Sequence, residues 1–201
     1  TVAGKSFLIE LPNGLCEGSE TAWGIEYKKY LLELGIAADG RPEIVSVLAD
    51  CNFVASAKKE NLPATWGYIA FDKNVGKYWF GQKSLNKRMR KEIEKLQLEK
   101  TPQINLEAIT NDALKKMRAD LSVGDIVHLG KPIESAQGFL VSALARFISG
   151  EEVSDVHLTT VTFIRNRQII TFAIYRGANG GANLDRVRLI GEQFLKSLSD
   201  W

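Results

Sequence analysis

The tightest constraint on this chain lies between Gly138 and Leu198, where three strand-like runs are joined by turn-forming residues and followed by an amphipathic helix. From Gly138 to Ile148 the residues alternate loosely, with Phe139, Val141, Ala143, Ala145 and Phe147 on one face of a pleated, half-buried strand. The turn formers Ser149-Gly150-Glu151-Glu152 come next, and then His157–Ile164, which is dense in β-branched and aromatic residues. A third run, Ile169–Tyr175, has the same character. Between the last two sits Arg165-Asn166-Arg167-Gln168, and Asn tolerates the positive φ that a tight hairpin needs, so these runs are predicted to pair antiparallel. Beyond a Gly/Asn loop, Leu184, Val187, Ile190, Phe194, Leu195 and Leu198 recur at helical spacing, with Asn183 placed to cap the first turn. That helix can lay one apolar stripe across the sheet.

The rest of the chain reads as further strands and helices of the same domain. Ser6–Leu11 is predicted as a strand stopped by Pro12-Asn13-Gly14, and Thr21–Leu34 as a helix with Trp23, Tyr27, Tyr30, Leu31 and Leu34 at helical intervals and a stop at Gly35. Ile44–Ala49 reads as a buried strand ending at Asp50-Cys51, and Trp66–Phe71 as another, with Lys77–Phe80 as its candidate partner. Two helices follow, Ser84–Leu98 and Asn105–Leu121, separated at Pro102, and then a strand over Ile126–Leu129. In the first helix Leu85, Met89, Ile93 and Leu96 point inward. With 201 residues, 45% of them apolar, and no low-complexity tract, the chain is expected to form one α+β domain. The expected architecture is an antiparallel-dominated sheet with packed helices, an α/β/α sandwich ending in a β-meander and a helix.

Composition excludes more than it identifies. A net charge of +2 is too small to argue for a nucleic-acid partner. No run of 18 apolar residues is present to span a membrane as a helix. The opening Thr1-Val2-Ala3-Gly4-Lys5 fits a mature end after signal removal as well as an arbitrary boundary. Cys16 and Cys51 each adjoin a turn or strand end, so a disulfide between them is the favoured expectation, with inert buried thiols and a reactive cysteine as alternatives.

Three other features have the residue types of a site. The loop Arg176-Gly177-Ala178-Asn179-Gly180-Gly181-Ala182-Asn183 joins a strand to a helix, where free amides and the positive dipole end can hold an anion and Arg176, Arg186 and Arg188 add charge. It lacks the Lys and hydroxyl residue of a nucleotide-hydrolase phosphate loop, and a simple capped connection is the plainer reading. Lys83, Lys87, Lys91 and Lys95, every fourth residue on one helix, form the densest positive stripe, downstream of Tyr78, Trp79 and Phe80, and offer a face for a phosphate backbone or an acidic protein or lipid surface, with a plain solvated face as the simpler reading. Glu92, Glu94 and Glu99 interleave with it, and Arg88–Glu92 and Arg90–Glu94 have the spacing of ordinary surface pairs. His128 and His157 have no second ligand at metal spacing, and Glu151-Glu152 sits in a turn. Cys16 with a histidine and Asp50 sketches a cysteine hydrolase without any local motif behind it.

The opening run to Leu11-Pro12-Asn13-Gly14, the meander from Gly138 to Tyr175 turning at Asn166, and the closing helix together resemble PsbP-like α/β/α sandwich domains. The pairing of Pro12-Asn13-Gly14-Leu15-Cys16 with Ala49-Asp50-Cys51 resembles a pattern in exported bacterial proteins. The resemblance implies a non-enzymatic accessory or binding module, periplasmic or secreted, without a cofactor, acting on a protein partner or small ligand. It assigns no functional residue, and fold likeness alone is a weak guide to function.

Overall fold

A computed structural model describes residues 9–37, 42–56, 63–72, 80–98, 121–128, 130–149, 152–177 and 182–198. The strands are β1 (Leu15–Glu17), β2 (Pro42–Asp50), β3 (Thr65–Asp72), β4 (Leu121–His128), β5 (Ile133–Glu134), β6 (Phe139–Ser149), β7 (Glu152–Arg165) and β8 (Gln168–Gly177). The helices are α1 (Ala22–Ala37), α2 (Cys51–Ser56), α3 (Gln82–Leu98) and α4 (Ala182–Ser197). All eight strands join one sheet in the order β1-β2-β3-β8-β7-β6-β4, with β5 also on β6, and every pairing is antiparallel. The expected α+β class, with its C-terminal meander and helix, is the observed one.

The meander forms where its sequence places it. Asn166 and Arg167 both have positive φ, 50° and 65°, the mark of a primed two-residue turn whose twist matches that of its flanking strands. Arg165 therefore pairs with Gln168, and the ladder runs on without a slip to Val156 opposite Gly177. This register puts Val161 and Phe163 beside Phe172 and Ile170, and α4 covers them with Val187, Ile190, Phe194 and Leu195. Phe194 stacks on Phe172 with centroids 3.9 Å apart and planes 8° from parallel. The helix approaches closely at Gly191, where a Cβ would fall 2.5 Å from the Thr159 methyl. β6 was expected to be half-buried, yet Phe139 and Leu140, on opposite faces, are both closed off from solvent.

On the other face α1 packs Leu31 against Ile44, Val47 and Ala70, with Trp23, Tyr27, Tyr30 and Tyr68 around them. Thr21 caps this helix, its hydroxyl accepting from the Gly24 amide at 3.0 Å and donating to the Gly18 carbonyl. The helix runs through Gly35 to Ala37, past the stop expected there, since one glycine costs a helix only about 1 kcal/mol.

Several other expectations are corrected. Ile9–Leu11, the described part of the first predicted strand, is not a strand, and the strand forms after the turn, at Leu15–Glu17. Ile9 and Leu11 still pack on the core, so their hydrophobic pattern reflects burial without pairing. Phe80 is not in a strand, while Lys77–Trp79 lie outside the described residues. So do residues 105–120 of the second predicted central helix, whose last residue, Leu121, instead begins β4.

β7 outruns β6, since its pairing with β6 begins at Thr162 opposite Phe139 while the strand continues to Arg165. The edge groups left over are met by a side chain. Gln82 accepts from the Ile164 amide at 2.8 Å and donates to the Thr162 carbonyl at 3.4 Å, standing in for the missing strand. Gln82→Leu should leave that buried-edge amide unpaired and cost about 1–3 kcal/mol in urea unfolding, with faster hydrogen exchange at Ile164. Phe194→Ala, which removes the ring at the centre of the main core, should cost about 3–5 kcal/mol by the same measurement.

Candidate functional site

The two cysteines meet. Cys16 in β1 lies opposite Ala49, and the β1–β2 register carries the next turn of chain, at Cys51, into reach. Their sulfurs are joined, with Cα atoms 4.8 Å apart and a sequence separation of 35. Gly14, at φ +87°, shapes the turn before β1 and offers its carbonyl to the Cys51 amide at 3.0 Å. The bridge ties down two short elements. β1 has three residues, and α2 has no buried side chain and touches the body through the Cys51 bridge and the edge of Phe53 on Trp23, 5.6 Å between centroids. Neither sulfur is a thiol, so no thiolate stands at Cys16. Asp50 is also occupied, accepting from the Thr65 amide at 2.7 Å.

The strand-to-helix loop is divided. Gly180 and Gly181 lie outside the described residues, and the side chain of Asn183 is likewise undescribed. α4 starts at Ala182, so Asn183 falls within its first turn and does not take the expected cap position. Arg176 is half-buried and donates to the Thr65 hydroxyl at 2.7 Å, joining β8 to β3 and, through Thr65, to Asp50. Arg186 is exposed on α4, beside Asp185 in the helix's first turn. Arg188, half-buried, pairs with Glu192 at 3.1 Å and donates to the Lys131 carbonyl. The structure thus gives Arg176 and Arg188 structural partners and does not draw the loop's arginines into one cluster.

Opposite Arg176 in the ladder is His157, a buried residue on the face that α4 covers. Its Nδ1 has no hydrogen-bond partner among the described residues, nor does Nε2 of Gln168 at the other end of the same face. Sequence spacing gave no sign of the His157–Arg176 pairing, since it depends on the hairpin register. At the neighbouring level Arg146 holds Asp155 at 2.9 Å, and this hydrogen bond keeps the Asp155 carboxyl below its ordinary range. The side chain of His128 is not described. Among the described residues no three His, Cys, Asp or Glu side chains assemble as a metal set.

The basic stripe lies on α3. Lys83, Lys87 and Lys91 are exposed, and the side chain of Lys95 is undescribed. Arg90 grips Glu134 in a two-pronged contact, and the Arg88 guanidinium lies 5.2 Å above the Phe80 ring. Glu134 offers both oxygens to the planar fork and is the main partner of Arg90, with the charge of Glu94 adding to the attraction.

The aromatic residues of α1, β3 and β8 form a continuous cluster that the sequence placed only as separate core positions. Trp66 stacks on Tyr175 and Tyr175 contacts Tyr68, at 6.0 and 6.2 Å. Trp23 stacks on Tyr27 at 5.0 Å. Tyr175 donates to Tyr68, and the Trp66 indole donates to Tyr27. Burial is the main cause that pushes the phenols of Tyr27, Tyr68 and Tyr175 above their ordinary value, helped at Tyr27 and Tyr175 by neighbouring phenols. A shallow depression of about 250 Å³ opens between β5 and α4, floored by Ile133 and Leu195 and rimmed by Ser135, Gln137, Glu192 and Lys196. It is below the usual size of a ligand pocket, about 300 Å³ and upward.

Comparison of the chain with protein-family models, with curated proteins and with solved structures finds no match in any of the three.

Because the folded state disfavours three phenolates that the unfolded chain forms near pH 10, stability should be unaffected below that pH and fall as pH rises above it. Ultraviolet titration should show Tyr27, Tyr68 and Tyr175 ionising only with unfolding. Free titration of all tyrosines near pH 10 would contradict the enclosed cluster.

Proposed function

We propose that this chain is an exported, non-catalytic binding or accessory module of the PsbP-like α/β/α kind, periplasmic or secreted, that engages a protein partner or a small ligand without a cofactor. The observation that carries the reading is the Cys16–Cys51 bridge, because protein disulfides form and persist in oxidising compartments and thiols stay reduced in the cytosol. An antiparallel sheet with helices on both faces supports the family likeness. The sites themselves support binding over chemistry. A cysteine hydrolase needs a free, acidified thiol beside a base, whereas the Cys16 sulfur is bonded and Asp50 is held on the Thr65 amide. Arg176, the best-placed cation of the anion-binding reading, braces β3 against β8.

Intact-mass measurement on protein taken from its native compartment decides the matter. A gain of about 2 Da on reduction, the two hydrogens added when one disulfide opens, is the expected result. Two alkylatable thiols before reduction would return the chain to a reducing compartment and reopen Cys16 as a nucleophile. The bridge closes a loop across 35 residues of sequence, so Cys16→Ser with Cys51→Ser should lower the unfolding free energy by about 3–4 kcal/mol. The fold should persist, since most of the main core lies between α4 and the strands β6 to β8, although Leu15 beside Cys16 belongs to it.

A further inference from the structure

Over the first half of α3 the residues at a spacing of four, Gln82, Asn86 and Arg90, are fastened to the body of the protein by hydrogen bonds. Gln82 bonds the open edge of β7, Asn86 donates to the Ser135 carbonyl at 2.8 Å while accepting from Gln82 at 2.7 Å, and Arg90 grips Glu134. Leu85 and Ile93 are buried beside this ladder. The residue after each rung is a lysine, and Lys83, Lys87 and Lys91 are all exposed. At 1.5 Å per residue they stand about 6 Å apart along the axis, a row of about 12 Å. Neighbouring lysines thus stand within one Debye length, about 8 Å at physiological salt, so adjacent charges act on a facing surface together.

We propose that this row is the contact face for a planar anionic surface, that of a bilayer containing anionic phospholipid. The inference rests on the preceding reading only in that the chain works by binding, and it adds a membrane surface to the protein or small-ligand partner named there. Of the groups of α3 able to read a shaped ligand by directional hydrogen bonds, Gln82, Asn86 and Arg90 are turned to the body of the protein, while Ser84, Arg88, Glu92 and Glu94 are exposed. The row itself presents the compact, strongly hydrated charge of lysine, which attracts without geometric demand. Such a face suits a uniform sheet of negative charge better than a base edge or a single phosphate. Arg88 lies over Phe80, and Glu92 and Glu94 are also exposed on this helix, so the attraction is moderate and reversible by salt. The polar ladder holds the helix in place, so little ordering is left to be done on contact.

The test is co-sedimentation of the full chain, disulfide intact, with phosphatidylcholine vesicles containing phosphatidylglycerol and with phosphatidylcholine vesicles alone, at about 0.01 M and 0.15 M salt. Binding only to the anionic vesicles, weakened by salt, is expected. Each lysine neutralised should lower the partition about fivefold, so Lys87→Gln with Lys91→Gln should lower it roughly 30-fold. A charge-matched pair elsewhere, Lys29→Gln with Lys131→Gln, should leave it nearly unchanged. Equal binding to neutral vesicles, or equal loss in both double variants, would overturn the proposal. Tighter retention on duplex DNA or polyglutamate than on anionic vesicles would also overturn it, assigning the row to a macromolecule. None of these results touches the disulfide count, and free thiols alongside intact vesicle binding would remove the export reading alone.

Discussion

Phe194 lies flat on Phe172, and the architecture depends on that contact. It joins the last helix to the middle of the sheet, and it brings Val161, Phe163, Ile170, Ile174 and Val187 into one dry cluster. Burying side chains of this size gives about 1.5–3 kcal/mol each. The geometry is demanding, because α4 comes so close at Gly191 that the Thr159 methyl fills the space a Cβ would take. The stripe of α4 and the register of β7 and β8 therefore require one another.

Away from that core the structure is held by other means. The β1–α2 corner contributes few buried apolar side chains and is fastened covalently, while Glu17 reaches the Ser46 hydroxyl and Ser19 accepts from the Val47 amide. The end of β7 is closed by the Gln82 amide, a side chain doing what a strand would otherwise do. Surface ion pairs such as Arg90–Glu134 add little energy but fix orientation. These local fastenings also explain the distribution of accessible charge. On α3 Gln82, Asn86 and Arg90 are turned to the body of the protein, and the lysines are left outside.

The meander was legible because its signals are local. Asn166 supplies the positive φ, the flanking β-branched runs supply the strands, and Val187, Ile190 and Phe194 recur at helical spacing. Arg167 in the left-handed region was not legible, since a type I′ turn imposes that conformation on whichever residue follows the Asn. The predicted strand over Ser6–Leu11 failed in its described part for a related reason: Ile9 and Leu11 show strand-like alternation but meet the core without a neighbouring strand. The α2 helix was missed because six residues, Cys51–Ser56, carry too little periodicity to announce it.

The sequence by itself determined the class of the fold, the identity of the closing helix and the proximity of its two cysteines to strand ends, because periodicity, turn chemistry and β-propensity act over a few residues. Tertiary structure alone decided which distant groups meet: His157 across from Arg176, Thr65 between Arg176 and Asp50, Arg90 on Glu134, and the phenols of Tyr68 and Tyr175 in one cluster. Each of these depends on strand order and register. A shift of one residue would move every side chain of a strand to the opposite face, and no local signal fixes that choice between elements far apart in the chain.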